Sequence, residues 1–325
     1  MKAVASASPS LALVKYWGKL DEGVNLPATP SLAVTLDGLR TTTTVTASER
    51  GDEVFIAGAP QPIDAFTPVI DSFRARAGSS ASVRVESANT FPTAAGIASS
   101  SSGFAALTLA LNAFYRTDLA PAELSATARM GSGSASRAVF GGFTVWRAGA
   151  ESAERLLPAD HWPDLRIIVV LIHTGSKPVS SRAGMRRTAR TSPIYARWCE
   201  ESPALYSRAV DALRRRDAEA LGTAMRESYL FMFSTMFTTR PPVIYWLPES
   251  LAVIHAAQSM RDAGTPIWET MDAGPQVKLL TTSAHVDAVR AAVTRAVPRA
   301  RILVTSPGGE PEVTVEDAGS AGGSS

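Results

Sequence analysis

The sequence predicts an α+β chain of two domains, on three observations. Short strand-like segments rich in β-branched residues crowd the first half. Long stretches with helical spacing of apolar residues dominate the second half. The length, 325 residues, exceeds what one hydrophobic core usually organises.

Residues 4–8, 32–36, 41–46, 54–56 and 81–86 read as strands, short, often β-branched and separated by turn residues. Between the last two, residues 63–76 read as a helix with Asp64 as a cap. A small-residue loop, 92–103, leads into an apolar helix over 104–114, and a short helix follows over 121–129. Strands are predicted over 142–146 and 165–172, and the latter contains the most apolar run of the chain. Helices over 193–215, 218–233 and 250–263 precede strands over 266–271 and 277–280, a helix over 286–296 and a strand over 301–305. The domain boundary is placed near 175, giving domains 1–175 and 176–310. Residues 311–325 remain as a tail without structure, purely Gly, Ser and Ala from Gly319 onward.

Composition excludes several classes of function. With 45% hydrophobic and 19% charged residues the chain is neither disordered nor collagen-like. A formal net charge of +2 argues against a broad nucleic-acid surface, though not against a local anion site. The single cysteine, Cys199, excludes a disulfide framework within the chain and a multi-cysteine zinc site, and fits a reducing, cytoplasmic location. No secretory signal and no membrane-spanning run is expected.

The chemistry-bearing residues sit in loops. Residues 92–103 bring small side chains to a helix start, whose free N–H groups and positive dipole end suit a phosphate. The same pattern also describes a tight turn capped by serine. No Walker A, dinucleotide GxGxxG or HExxH pattern occurs. A second small-residue loop, Gly131 to Arg137, could cradle an oxyanion with Arg137 as a bidentate fork, or be a plain connection with a surface arginine. Lys15-Tyr16-Trp17-Gly18-Lys19 and Lys177 to Arg182 offer further cations near small or aromatic residues. Asp272, in the turn Met271 to Pro275, is either a turn former or a group that orients or deprotonates a hydroxyl.

In this order, five segments together resemble the mevalonate diphosphate decarboxylase family. They are KYWGK at 15–19 followed by Asn25-Leu26-Pro27, FPTAAGIASS at 91–100, GSGSASR at 131–137, VSSRAGM at 179–185 and MDAGP at 271–275. The resemblance runs from about residue 5 to about residue 305 and reaches the wider superfamily of galactose, homoserine, mevalonate and phosphomevalonate kinases. It implies an N-terminal, ATP-binding domain of ribosomal-protein-S5 type packed on a ferredoxin-like C-terminal domain, with the active site in the cleft between. It also implies a homodimer and a reaction that uses ATP and Mg²⁺. The tertiary 3-hydroxyl of mevalonate 5-diphosphate is phosphorylated, and loss of that phosphate with CO₂ gives isopentenyl diphosphate. The alternatives are mevalonate 5-phosphate as substrate, or a 3-kinase that stops before decarboxylation.

Carried over residue by residue, the resemblance makes Asp272, Lys15 and Arg137 catalytic. Asp272 attends the 3-hydroxyl, Lys15 the transferring phosphoryl group and Arg137 the substrate carboxylate. Pro92, Ala94, Ala95, Gly96, Ile97, Ala98, Ser99, Ser100, Ser101 and Ser102 would cradle the ATP phosphates, with Ser100 as a ligand of Mg²⁺. Tyr16, Lys19, Ser132, Gly133, Ser134, Ser181 and Arg182 would face the 5-phosphate end, with Trp17 in the pocket wall. Three positions depart from the family pattern. Thr67 stands about where a diphosphate-binding arginine is usual, Ser10 where an asparagine is usual, and Phe231 to Met236 where a helix bears His and Asn. Arg182, Arg74 or Arg76 would be the substitutes for the missing cation. A non-catalytic relative would be expected to have lost Lys15, Arg137 or Asp272, and all three are present.

Overall fold

The computed structural model describes residues 1–325 except 22, 92–98, 174, 176, 177 and 317–325. Its strands are β1 (Lys2–Ala7), β2 (Ser10–Val14), β3 (Lys19–Asp21), β4 (Leu26–Pro27), β5 (Ser31–Thr35), β6 (Thr41–Ser48), β7 (Glu53–Ile56), β8 (Ala59–Pro60), β9 (Ser82–Asn89), β10 (Phe143–Trp146), β11 (Glu154–Leu157), β12 (Leu165–Leu171), β13 (Trp268–Met271), β14 (Val277–Thr282), β15 (Arg301–Thr305) and β16 (Glu312–Glu316). Its helices are α1 (Thr67–Arg76), α2 (Ser99–Tyr115), α3 (Pro121–Gly131), α4 (Ala135–Ala138), α5 (Ser181–Thr191), α6 (Tyr195–Arg215), α7 (Ala218–Phe237), α8 (Pro248–Asp262) and α9 (Val286–Ala296). The expected α+β class is what the chain forms.

Three sheets carry the architecture, in the orders β16-β1-β6-β9-β7-β8, β11-β10-β5-β2 and β13-β14-β12-β15. Their pairings are antiparallel, apart from β7 against β9. The first sheet is covered by α1 and α2, and Ala3, Val45, Val85, Phe73, Leu107 and Leu111 fill the core between them. The third sheet has a core on each face. Ile167, Val169 and Leu171 of β12 point into one, and Ile168 and Val170 point into the other. That two-sided burial explains why β12 reads as a continuous apolar run instead of an alternating one.

The core on one side of β12 also holds Leu11, Leu32, Val34 and Phe143 of the second sheet, together with Leu213 of α6 and Met225 of α7. The two halves of the chain therefore share one continuous apolar interior, with α6 and α7 wedged between sheets.

Two details of the expected organisation are corrected. The boundary near 175 assigns β12 to the first half, but β12 pairs with β14 and β15 and so belongs to the later sheet. Residues 311–325 were expected to be a structureless tail, but Glu312–Glu316 forms an edge strand on β1. The alternation Glu-Val-Thr-Val-Glu suits a strand, and Glu312 and Glu316 pair with Arg40 and Lys2 at 2.9 and 3.1 Å. The chain reaches that edge through Gly308, whose N–H donates to Thr35 and whose carbonyl accepts from Gly142. The remainder of the tail, including Gly319, lies outside the described residues. A smaller difference concerns residues 63–76, where a 3-10 turn over Ile63–Ala65 precedes α1 and Asp64 makes no cap.

Helix α7 lies directly against β13, the strand that leads into Asp272. At Gly222 a Cβ would meet the Trp268 indole at 2.1 Å. Gly222→Ala should lower stability by about 1–3 kcal/mol through overpacking, read as a lower urea midpoint at unchanged m-value.

Candidate active site

A cavity of about 660 Å³ opens where the second sheet, α2, the 131–137 loop, α5, α7 and the 272–273 turn converge. Lys15, Tyr16, Trp17, Lys19, Ser99, Ser100, Ser132, Gly133, Ser134, Arg137, Ser181, Arg182 and Asp272 all reach its wall. Residues distant in sequence and singled out from five separate segments thus meet at one place.

At one end lies a buried charge cluster. Lys15 follows β2, and its backbone N–H donates to Ser228 Oγ on α7 at 2.9 Å. The Lys15 ammonium donates to Ala12 O at 2.7 Å and to Asp272 Oδ1 at 2.9 Å. Lys278, on β14, donates to Asp272 Oδ2 at 3.0 Å. Lys15 and Lys278 are 1% and 2% exposed, whereas Asp272, at 29%, keeps a face open to the cavity. Arg137 on α4 is fully buried and donates to Ser31 Oγ. Its Nε finds no hydrogen-bond partner among the described residues, and neither does the Tyr16 hydroxyl or Ser10 Oγ. All three residues face the cavity.

The electrostatics follow from burial and pairing. Burial pulls the Lys15 ammonium down from 10.5 to about 8, against the opposing pull of Asp272. Burial lowers the Arg137 guanidinium to about 10, so it stays protonated at neutral pH. For Asp272 burial would raise the carboxyl, but the charges and hydrogen bonds of Lys15 and Lys278 prevail and hold it well below the usual carboxylate range. Two buried ammonium groups therefore hold one carboxylate, with the buried Arg137 guanidinium as a third positive charge nearby. Buried charge of one sign is costly unless it is paired, and the residues that carry the leftover donors line the cavity. The arrangement is built to receive an anion.

Local sequence explains the close approaches. Gly18 adopts φ +113°, and a Cβ there would meet the Tyr195 hydroxyl at 1.9 Å, so KYWGK needs its glycine. A Cβ at Gly133 would meet the Tyr16 hydroxyl at 2.5 Å. Trp17 is buried beneath Gly184 of α5, and its carbonyl accepts from the Trp198 indole at 2.9 Å. Ser100 Oγ, Ser132 Oγ and Ser134 Oγ form a chain of hydroxyls spaced 3.4 and 3.3 Å apart. Lys19 donates to Asn25 Oδ1, and Arg182 Nη2 donates to Gly131 O at 3.3 Å.

Some expectations fail. Ser101 and Ser102 are fully buried and do not reach the cavity. Ser101 Oγ donates to Ser134 O at 3.0 Å and Ser102 Oγ lies 2.6 Å from Thr41 Oγ1, so both hydroxyls anchor α2 instead of facing a phosphate. Pro92, Ala94, Ala95, Gly96, Ile97 and Ala98, like Lys177, lie outside the described residues. Arg74 is not a substitute for the missing cation, because it is held by Asp52 at 2.6 Å and by Asp71 away from the cavity. Arg76 turns back to Ser72. Thr67 donates to Ile63 O at 3.1 Å, and beside it the wall is Asp64, Ala65 and Pro68. Of the altered 231–236 segment, Met232 reaches the cavity while Phe231 packs on Trp198.

Lys278 escaped the sequence reading. The available signal is its register: it pairs with Thr270, two residues before Asp272, and that diagonal separation is within reach of a lysine.

Comparison with known proteins agrees with the geometry. Residues 7–156 match the diphosphomevalonate decarboxylase-like N-terminal domain and residues 167–317 the mevalonate 5-diphosphate decarboxylase C-terminal domain. A diphosphomevalonate decarboxylase of Ganoderma lucidum is 33% identical over 92% of this chain and 83% of its own. The mevalonate diphosphate decarboxylase of Staphylococcus aureus superposes with TM-score 0.91 at 34% identity, over 97% of this chain and 98% of its own. The structure of MDDEF in complex with MVAPP, AMPPCP and magnesium gives TM-score 0.90 at 35% identity, over 97% and 99%. The chain belongs to the diphosphomevalonate decarboxylase family.

Proposed function

We propose that the chain catalyses ATP-dependent decarboxylation of mevalonate 5-diphosphate to isopentenyl diphosphate, releasing ADP, phosphate and CO₂. The observation that carries this reading is the cluster of Lys15, Lys278 and Arg137 around Asp272 at the end of a polar cavity. The MVAPP and AMPPCP complex of MDDEF, a relative of the same fold, supports it.

Asp272 accepts a hydrogen bond from the 3-hydroxyl. Held anionic by two ammonium groups, it is a weak base, and a tertiary alcohol is a very weak acid. Asp272 therefore aligns the oxygen for attack, and it takes the proton late, once the new O–P bond has made that oxygen strongly acidic and the bond to the ADP oxygen breaks with its electron pair going to ADP. Lys15 spends two of its three N–H groups on Ala12 and Asp272. The third meets the charge gathering on the transferring phosphoryl oxygens. The Arg137 guanidinium, whose Nε has no partner among the described residues, takes the substrate carboxylate. When the C3–O bond breaks, the departing phosphate takes its electron pair. The C1–C2 pair then forms the C2–C3 double bond and CO₂ is released.

Ser132, Gly133, Ser134, Tyr16, Lys19, Ser181 and Arg182 receive the 5-phosphate end, with Trp17 behind them. Ser99 and Ser100, at the start of α2, meet the ATP phosphates, where the free N–H groups of a helix start suit an anion. Ser100 fits a hydroxyl ligand of Mg²⁺, because its oxygen lies on the cavity wall beside other hydroxyls. No three of His, Cys, Asp and Glu gather as a metal cage among the described residues, and an ion held by phosphates and water needs none. Mg²⁺ supplies neutralisation of phosphate charge. The same reading includes a cytoplasmic location, supported by the lone cysteine, and a homodimer, supported by the family resemblance. Among the described residues no helix is long and apolar enough to cross a membrane.

One observation favours a second substrate, mevalonate 5-phosphate: the wall near Thr67 carries Asp64, and Arg74 is engaged elsewhere. Paired turnover assays with ATP and Mg²⁺, following ADP and CO₂, decide. The 5-diphosphate should be the better substrate by kcat/KM. Preference for the 5-phosphate would transfer the reading to that substrate, and ADP without CO₂ would make the chain a kinase.

The depressed Lys15 gives a second expectation. Its charged form is the active one, so activity is lost as pH rises through its folded value. The kcat/KM profile, which reports the free enzyme, should fall above about pH 8. The limb in kcat should lie higher, because bound phosphates favour the ammonium.

A further inference from the structure

Lys278 does not line the cavity, yet it holds one oxygen of the carboxylate on which the site turns. Burying an ammonium inside a sheet is unfavourable enough that an apolar residue would pack there more easily. Its neighbours in β14, Val277 and Leu279, are core residues. The ammonium donates to Asp272 Oδ2 at 3.0 Å. A carboxylate rotates readily about its last bond, because that torsion has broad wells. Lys15 alone, on Oδ1, would leave Asp272 a pivot. A second donor on Oδ2, fixed from another strand, removes it.

We propose that Lys278 is a positioning residue for the phosphoryl-transfer step, locking the plane of the Asp272 carboxylate so that its cavity face is set for the 3-hydroxyl. The proposal rests on the decarboxylase reading above. Lys278 acts through Asp272 and touches no substrate. It also removes proton affinity from Asp272 together with Lys15, while Arg137 stands farther off as the third charge facing the cluster. These groups approach from β14, from the end of β2 and from α4.

The test uses the full chain with Lys278→Met and with Lys278→Gln, which keeps a neutral donor. With ATP, Mg²⁺ and mevalonate 5-diphosphate, kcat should fall at least about tenfold while both KM values stay within about threefold, since the lost interaction matters in the transition state. The acid limb of kcat should move up by about one pH unit or more, because an opposite charge in contact has been removed. A second readout is independent of turnover. The carboxyl ¹³C resonance of Asp272, assigned by its loss in Asp272→Asn, should shift its titration midpoint upward by a similar amount. If the wild-type chain releases no CO₂, the decarboxylase reading fails while the resonance still judges Lys278. Folded variants with unchanged kcat, or with an unmoved acid limb and midpoint, overturn the proposal. Failure of both variants to fold assigns Lys278 to stability alone and overturns it too.

Discussion

The charge cluster at Asp272 is held by elements from both halves of the chain, and this constrains everything around it. Lys15 comes from the end of β2, Arg137 from α4, and Asp272 with Lys278 from β13 and β14. Taking such groups out of water is unfavourable unless the geometry is good and the remaining donors find partners. Among the described residues the cluster carries more positive than negative charge, and they do not balance it. An anionic substrate does. Substrate binding and relief of buried charge are in this sense one event.

The shared core explains how the donors can be set so closely. One face of β12 packs into the same apolar interior as β2, β5 and β10, with α6 and α7 between. Sheets tied through a continuous close-packed core cannot slide freely past one another. Ser228 of α7 holding the backbone of Lys15 is a direct link from that core to the site. The last strand, β16, ties the end of the described chain back to β1, so the later half is anchored to the first sheet as well as to the second.

Much of this was legible in the sequence, and the failures have physical causes. Lys15, Arg137 and Asp272 stand in short segments whose small or aromatic neighbours mark them. Lys278 does not, because a single lysine in an apolar strand resembles a strand end until the register opposite Thr270 is known. Ser99 to Ser102 were treated alike as loop residues because the apolar pattern starts only at Phe104. The helix in fact begins at Ser99. At about 100° per residue, neighbouring serines then diverge, two toward the cavity and two into the interior. The strand at Glu312–Glu316 was missed because an exposed edge strand of charged and β-branched residues buries too little to stand out. The boundary near 175 failed because strand pairing, unlike local composition, is set by residues more than a hundred positions away.

The central claim is that the unpaired donors around Asp272 are those of the substrate site. It is tested most directly by a crystal structure with mevalonate 5-diphosphate and a non-hydrolysable ATP analogue bound together. The account predicts the substrate carboxylate on Arg137 Nε, the 3-oxygen within hydrogen-bond reach of Asp272, and the phosphate end toward Ser132 and Arg182. A substrate whose 3-oxygen lies away from Asp272, with Arg137 Nε still unpaired, would contradict it.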